Sequence, residues 1–276
     1  MGLDGRWSEE AFALLGAEPP DRQPEPSGDV VGMAEGARLV SVASHDTASA
    51  VLGVGELAAD DAYLNVGTWA LLGVVLDAPS VGTEAEQGGW TNEWGHDGRI
   101  RFLKNIPGFY VLNRIHDELG VAGSIGEWLE RRDKSFAGRF DPQDASLYNP
   151  ASMPEACSRL MGFPPKGSEQ WAQAALGSLV DCISADVPRL ASASGRAVRR
   201  LRVVGGGSRS NSFCQALADR SGLVVVSGPD EATVLGNLAL QFAAVGHVPF
   251  DQIGALVQRS VETREFQPQG ETCASN

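Results

Sequence analysis

The chain has 276 residues, 43% of them apolar, which is enough to bury the core of one large domain or two smaller ones. Its formal net charge is −13, and no run of lysine or arginine offsets the 35 acidic residues, so we expect no nucleic-acid partner. No apolar run approaches the roughly 20 residues of a membrane helix. The N-terminus also lacks a basic-then-apolar signal sequence, so we expect no membrane partner and a cytoplasmic location.

The first 55 residues predict a short helix, an extended connection and a strand that runs into a second helix. A helix is predicted over 7–16, and the four prolines that follow it predict an extended surface connection over 17–36. A short apolar strand is predicted over 38–43. It leads through Ser44-His45-Asp46-Thr47 into a helix, and such strand-to-helix turns often carry functional groups in α/β proteins.

The middle of the chain predicts strands first and helices afterwards. Strands are predicted over 62–66, 70–76 and 99–104, with Gly67-Thr68-Trp69 as a tight hairpin between the first two. The predicted helices cover 107–119, 124–132 and 168–193, the last with one apolar face and a proline at 188. Residues 139–153 predict irregular structure.

The last third of the chain alternates strands and helices. The predicted elements are a strand over 201–204, a helix over 210–220, a strand over 223–226 and a helix over 231–245. Three hairpin-joined strands followed by β-α-β-α do not fit a doubly wound sheet, which alternates from its start. The order predicts an α/β protein with the actin-like ATPase, ribonuclease-H-like fold, as one βββαβα-type half.

Two glycine turns are candidates for binding phosphate. Gly67-Thr68 lies at the hairpin tip, and Gly205-Gly206-Gly207 leaves a strand and opens a helix. Glycine lets backbone amides approach an anion, and a helix N-terminus favours negative charge. An ordinary hairpin and an ordinary strand-to-helix turn are the alternatives. The chain has no Walker A sequence.

Asp46 is the candidate catalytic residue. Transfer of a phosphoryl group to a hydroxyl needs a group that accepts the hydroxyl proton, and a carboxylate at a strand end can do this. The local alternative is that Asp46 caps the following helix.

Trp90 and Trp94 could stack on a sugar, although core packing is the simpler interpretation. The histidines and cysteines lack metal-site spacing, so we assign no metal ligand.

Taken together and in order, these segments resemble the C-terminal half of FGGY carbohydrate kinases, and the rhamnulokinase branch in particular. The segments that carry the resemblance are SHDTASAV at 44–51, AYLNVGTW at 62–69, WTNE at 90–93, RIRFLKNI at 99–106, VVGGGSRSN at 203–211, and GPDEAT at 228–233 with Gly236-Asn237. The resemblance implies a division into a remnant of the N-terminal domain (1–55), the C-terminal nucleotide-binding domain (56–266) and a disordered tail (267–276).

The resemblance also implies an activity, phosphorylation of L-rhamnulose by ATP and Mg²⁺ to give L-rhamnulose 1-phosphate. Asp46 would deprotonate the sugar hydroxyl. The residues implied to contact the sugar are His45, Thr47 and Asn105. The residues implied to bind the nucleotide are Gly67, Thr68, Asn113, Gly205, Gly206, Gly207 and Asn211. Asn113 departs from the family pattern, which often has glutamine there.

The resemblance does not extend to the first half of the family's sequence, which carries a phosphate-binding Asp-x-Gly segment. We therefore expect this chain alone to bind ATP weakly and to phosphorylate poorly, with a separate N-terminal kinase half as a partner. We also expect exposed apolar surface in the first 55 residues. Two alternatives stay open: a kinase for L-fuculose or xylulose, and a non-catalytic nucleotide-binding module.

Overall fold

The computed structural model describes residues 2, 4–43 and 45–269. The strands are β1 (Val30–Ala34), β2 (Ala37–Val40), β3 (Asp61–Val66), β4 (Trp69–Leu76), β5 (Thr91–Trp94), β6 (Ile100–Pro107), β7 (Arg200–Val204), β8 (Val224–Ser227) and β9 (Arg264–Phe266). The α-helices are α1 (Glu9–Leu14), α2 (Asp46–Leu52), α3 (Thr83–Gly88), α4 (Phe109–Glu118), α5 (Ile125–Glu130), α6 (Met153–Met161), α7 (Ser168–Ser194), α8 (Asn211–Ser221), α9 (Ala232–Ala244) and α10 (Ile253–Ser260).

A seven-stranded mixed sheet organises the fold, in the order β5-β6-β4-β3-β7-β8-β9. Strand β3 is central and pairs antiparallel with β4 and parallel with β7. Its sequence DAYLNV is buried at all but one position, as expected of a strand covered on both faces. Helix α7 packs over β4 and β6, and its twelve buried residues form much of the core. The α/β class is therefore confirmed, as is the order of the predicted elements: the strands β3, β4 and β6 come before the helices α4, α5 and α7, and β7-α8-β8-α9 comes after them.

Two predictions about strands need correction. The segment over 17–36 is not wholly an extended connection, because β1 lies within it and forms a hairpin with β2. Glu35 and Gly36 at its tip both have positive φ, 51° and 84°, the backbone of a type I′ turn. Glutamate seldom adopts this conformation, which is why the turn was missed. Strand β5 was also missed, because it is a short polar edge strand that pairs only with β6.

Further corrections concern helices. Residues 139–153 are not irregular to their end, because α6 begins at Met153 with the Ser152 hydroxyl as its N-cap. The prediction also missed the short helix α3 and, beyond residue 245, α10 and β9. The long helix predicted over 168–193 is confirmed as α7, which continues through Pro188.

The first 55 residues expose apolar side chains, as predicted. The exposed residues are Leu14, Leu15, Val30, Val31, Met33 and Leu39.

Of the tail predicted over 267–276, the backbone N–H of Gln269 donates to the Asp219 carboxylate (2.8 Å). Residues 270–276 lie outside the described part of the chain, so the disordered tail stays a prediction, as do the domain limits. Among the described residues, no helix is both long and apolar enough to cross a membrane.

Candidate active site

A cleft of about 610 Å³ opens at the edge of the sheet where β3 and β7 end. Because these strands are parallel, the turns after them lie side by side. The residues lining the cleft are His45, Asp46, Thr47, Asn65, Gly67, Thr68, Trp69, Leu71, Glu93, Asn105, Gly205, Gly206, Asp230 and Thr233. The structure therefore brings the candidate base, both glycine turns and the three predicted sugar contacts to one cleft.

Three of the predicted nucleotide-binding residues do not line this cleft. Gly207 is buried, Asn113 is half-buried on α4, and the Asn211 side chain accepts a hydrogen bond from Arg264. A larger cavity of about 800 Å³ borders other residues of α2, among them Ala48 and Val51, but it contains none of the predicted site residues.

Asp46 is not the cap of α2. His45 is the N-cap residue, and its Nδ1 accepts the Thr47 N–H (3.3 Å). Asp46 occupies the first helical position with its side chain 74% exposed. Apart from a 3.0 Å contact with His45 Nδ1, the described residues give this carboxylate no hydrogen-bond or ion-pair partner. The capping alternative is thus wrong, and the carboxylate is available in the cleft.

Helix α2 is held by a close crossing with α9. A Cβ atom at Gly53 would lie 2.0 Å from the Ala232 carbonyl oxygen, and one at Gly236 would lie 1.9 Å from that of Ser49. Only glycine permits such an approach of two backbones. Because Thr233, near the start of α9, also lines the cleft, this crossing fixes both helix N-termini relative to each other.

The first glycine turn is fastened to the start of α4. The Gly67 carbonyl accepts from the Phe109 N–H (2.9 Å), and the Thr68 carbonyl accepts from the N–H groups of Gly108 (3.0 Å) and Tyr110 (3.2 Å). The Thr68 hydroxyl has no hydrogen-bond partner among the described residues. The two carbonyls of this turn therefore bind the start of α4, and the Thr68 hydroxyl remains available to donate to a ligand.

The second glycine turn divides into structural and open positions. Gly205 has a φ of 81°, and a Cβ there would lie 2.6 Å from Asn65 Oδ1. A Cβ at Gly207 would lie 2.7 Å from the Val66 side chain. These two glycines are therefore explained by packing on β3. Gly206 has no atom within 4 Å of an added Cβ and lines the cleft, so of the three glycines in this turn it is the one at which the fold does not require the absence of a side chain.

The prediction missed an ion pair at the wall of the cleft, between the cleft-lining Glu93 and the buried Arg101. Glu93 and Arg101 are directly opposed on β5 and β6, with Arg101 Nη2 2.8 Å from Glu93 Oε2. Arg101 Nη1 donates to the Thr47 hydroxyl (3.2 Å). The only sequence signal was the charge complementarity of the two segments, which cannot be paired before β5 is identified. Burial raises the pKa of the neighbouring Tyr63 hydroxyl well above its usual range.

The tryptophan and metal hypotheses have separate outcomes. Trp90 is buried and stacks on Phe102 at 5.7 Å between ring centroids, and Trp94 is partly buried against the same core, so the core-packing interpretation is confirmed. Of the carboxylates lining the cleft, Glu93 is paired with Arg101 and Asp230 lies 3.4 Å from Arg209. Within residues 2, 4–43 and 45–269, no three His, Cys, Asp or Glu side chains are grouped as a metal site would require.

Comparison with known proteins identifies the family. The model of the FGGY family of carbohydrate kinases, C-terminal domain, matches residues 62–245. The chain is 36% identical over 220 residues to the rhamnulokinase of Enterococcus faecalis, covering 77% of this chain and 44% of that protein. It is 37% identical over 239 residues to the rhamnulokinase of Bacteroides thetaiotaomicron, covering 84% and 49%. The chain thus spans about half the length of the curated relatives it matches.

Solved structures share the fold. Xylulose kinase from Rhodospirillum rubrum superposes with a TM-score of 0.70 at 15% identity, over 96% of this chain and 56% of that one. Plasmodium falciparum glycerol kinase with ADP gives a TM-score of 0.62 at 17% identity, over 85% and 48%. The predicted actin-like ATPase fold is confirmed by these neighbours. On the family match and the relatives together, the chain belongs to the FGGY family of carbohydrate kinases.

Proposed function

We propose that this chain supplies the nucleotide-binding half and the catalytic base of an ATP-dependent ketose kinase, with L-rhamnulose as the substrate. The observation that carries the proposal is the position of Asp46. Its carboxylate is free of the capping role and lines the same cleft as the Gly67-Thr68 turn and Gly206. A proton acceptor beside two bare backbone turns is the arrangement that phosphoryl transfer to a hydroxyl requires.

In the proposed reaction Asp46 accepts the proton of the sugar C1 hydroxyl as that oxygen bonds to the γ-phosphorus of ATP. The bond from the γ-phosphorus to the β,γ-bridging oxygen breaks, and ADP leaves. Thr68 donates its hydroxyl to a phosphate oxygen, and Gly206 lets the nucleotide lie against the backbone. Magnesium bound to ATP neutralises charge on the phosphates. His45, Thr47 and Asn105 contact the sugar. Three of the predicted nucleotide contacts, at Asn113, Gly207 and Asn211, have no support from the cleft lining.

The choice of L-rhamnulose rests on the relatives. Both relatives described above are named rhamnulokinases and exceed 35% identity. The xylulose kinase is only 15% identical, so its similarity supports the fold but not the substrate. L-fuculose and D-xylulose are accordingly the competing substrates for a specificity test.

We propose in addition that a second kinase half completes the site. The chain matches about half of each relative, and its contribution to the cleft comes from α2, β3, β4, β5, β6, α9 and the turns after β3, β7 and β8. The exposed apolar side chains of α1, β1 and β2 suit contact with that half.

The test measures ATP-dependent phosphorylation of L-rhamnulose, L-fuculose and D-xylulose, with and without an added N-terminal half from one of the rhamnulokinases. We expect phosphorylation of L-rhamnulose with the added half, and a loss of at least about a hundredfold in kcat in Asp46→Asn. Asp21→Asn, an exposed carboxylate outside the cleft, is the matched control and should retain activity. ATP binding without phosphorylation of any ketose would instead identify a nucleotide-binding module.

A further inference from the structure

We propose that Arg101 is a positioning residue that acts through the Thr47 hydroxyl to hold the His45 imidazole in its Nε2–H tautomer. This inference rests on the proposed function, in which His45 contacts the sugar beside Asp46. It assigns a task to a buried arginine that neither lines the cleft nor touches the reacting groups.

The hydrogen bonds around Thr47 determine the tautomer. A guanidinium can only donate, so Thr47 Oγ1 accepts from Arg101 Nη1 at 3.2 Å. The hydroxyl hydrogen of Thr47 then needs an acceptor, and His45 Nδ1 lies 2.5 Å from Oγ1. The Thr47 N–H also points at Nδ1. Two hydrogens directed at one ring nitrogen leave that nitrogen bare, so the neutral ring carries its hydrogen on Nε2.

Arg101 is suited to this task because it cannot move easily. Its side chain is 5% exposed, and it lies on β6 between β4 and β5 with Glu93 as its ion-pair partner. His45, in contrast, is 62% exposed and precedes the first turn of α2. The sheet therefore holds Arg101 in place, Arg101 orients the Thr47 hydroxyl, and that hydroxyl determines which nitrogen of the His45 ring carries the hydrogen.

The tautomer matters because Asp46 competes for the same ring nitrogen. Asp46 Oδ1 lies 3.0 Å from His45 Nδ1, so a hydrogen on Nδ1 would be donated to the carboxylate. That bond would occupy the carboxylate oxygen that has to accept a proton from the sugar. With Nδ1 bare, the ring gives the carboxylate no hydrogen bond and the two facing lone pairs repel, so the exposed Asp46 side chain is free to turn toward the sugar while the Nε2–H donates to a sugar oxygen.

The direct test is nitrogen-15 NMR of histidine-labelled chain, at a pH where titration shows the His45 ring to be neutral. The chain has four histidines, and His45→Gln assigns the signal. We expect an unprotonated Nδ1 and a protonated Nε2 in the parent chain and in Thr47→Ser, which keeps the hydroxyl. Thr47→Val and Arg101→Lys should both move the ring toward the Nδ1–H form. Arg99→Lys, at an exposed arginine on the preceding turn, is the matched control and should leave the His45 tautomer unchanged.

The results separate the possibilities cleanly. An Nδ1–H ring in the parent chain, or a tautomer unaffected by Thr47→Val, would overturn the proposal. A change of the His45 tautomer in Thr47→Val but not in Arg101→Lys would show that Arg101 has no part in setting the tautomer. Because the NMR readout needs no turnover, the absence of ketose phosphorylation would sink the proposed function and leave this result standing.

Kinetics of the assembled kinase provide the second readout. We expect Arg101→Lys to raise the KM for the ketose by up to about tenfold, the upper end of the range for one hydrogen bond between neutral groups, with the KM for ATP unchanged. If Arg101 acts through Thr47, the double variant Arg101→Lys/Thr47→Val should be no worse than Thr47→Val alone. Additive losses, or equal losses for ATP and ketose, would point to a general structural role and contradict the proposal.

Discussion

Gly53 and Ala232 are in backbone contact: a Cβ atom added at Gly53 would lie 2.0 Å from the Ala232 carbonyl oxygen. Gly236 meets Ser49 in the same way from the opposite helix. This crossing of α2 and α9 holds the helix that begins with Asp46, so the position of the proposed base depends on two residues that carry no chemistry.

The crossing predicts that Gly53→Ala and Gly236→Ala destabilise the fold. The two helices would have to move apart to admit a methyl group at either position. We therefore expect a loss of about 1–3 kcal/mol in the free energy of unfolding, measured in urea. Gly126→Ala is the control, because on α5 the added methyl meets only Ser124 Oγ at 3.9 Å. It should be neutral or stabilise by roughly 0.5–1 kcal/mol. Equal effects at all three positions would refute the crossing.

Gly205 and Gly206 are adjacent, but alanine should reduce stability at the first and ATP binding at the second. Gly205→Ala forces a side chain into positive φ and against Asn65, so we expect a lower unfolding midpoint. Gly206→Ala meets no atom within 4 Å, so stability should change by less than about 0.5 kcal/mol. We expect instead that it weakens ATP binding, which calorimetry on the two variants can measure. Unchanged ATP affinity in Gly206→Ala would remove this turn from the nucleotide site.

Lys104 compensates a fully buried carboxylate. Its Nζ lies 2.9 Å from Oδ2 of Asp186, whose side chain is 0% exposed in the middle of α7. Removing the cation in Lys104→Met leaves a buried charge, and we expect a loss of about 3–5 kcal/mol in urea unfolding. Arg189 also contacts Asp186 (3.0 Å) but is 65% exposed, so Arg189→Met should cost no more than about 1 kcal/mol. A larger loss of stability in Arg189→Met than in Lys104→Met would contradict the assignment of Lys104 as the main partner of Asp186.

The double variant Lys104→Met/Asp186→Leu extends this test. It replaces both charges with apolar groups, so most of the loss in Lys104→Met should be recovered. A double variant as unstable as the single one would mean that packing around Lys104, and not charge compensation, accounts for the loss.

The three described cysteines should be unreactive in the folded chain. Burial raises the pKa of Cys157 and Cys214 to about 12 and that of Cys182 to about 11. Since the thiolate is the reactive form, iodoacetamide at about pH 8 should modify these residues only after denaturation. Peptide mass spectrometry gives the extent at each cysteine. Rapid modification of any of the three in the native chain would contradict its raised thiol pKa.

The same pKa shifts predict a decline of stability at alkaline pH. A thiol pKa raised on folding stabilises the protein below the unfolded value of 9.0, and this contribution is lost as the pH rises toward about 12. The variant Cys157→Ala/Cys214→Ala should therefore lose less stability than the parent between about pH 8 and 10.5. An identical loss in both would assign the alkaline sensitivity to other groups.

The sequence by itself determined the α/β class, the central strands, the long helix α7, the family, and eight residues that line one cleft. Long apolar runs such as ALLGVVL and helical periodicity are local signals, and both turns occur directly after apolar strands. Their convergence follows from the parallel pairing of β3 with β7, which the structure shows.

Only the tertiary structure decided what the individual residues do. Local propensity could not tell that His45 and not Asp46 caps α2, since both can supply an acceptor there. It could not separate Gly206 from Gly205 and Gly207, because the difference lies in the distance to β3, a strand some 140 residues earlier in the chain. The ion pair of Arg101 with Glu93 likewise depends on the register of an edge strand too short and polar to recognise. These properties arise between distant segments, where sequence spacing carries no distance information.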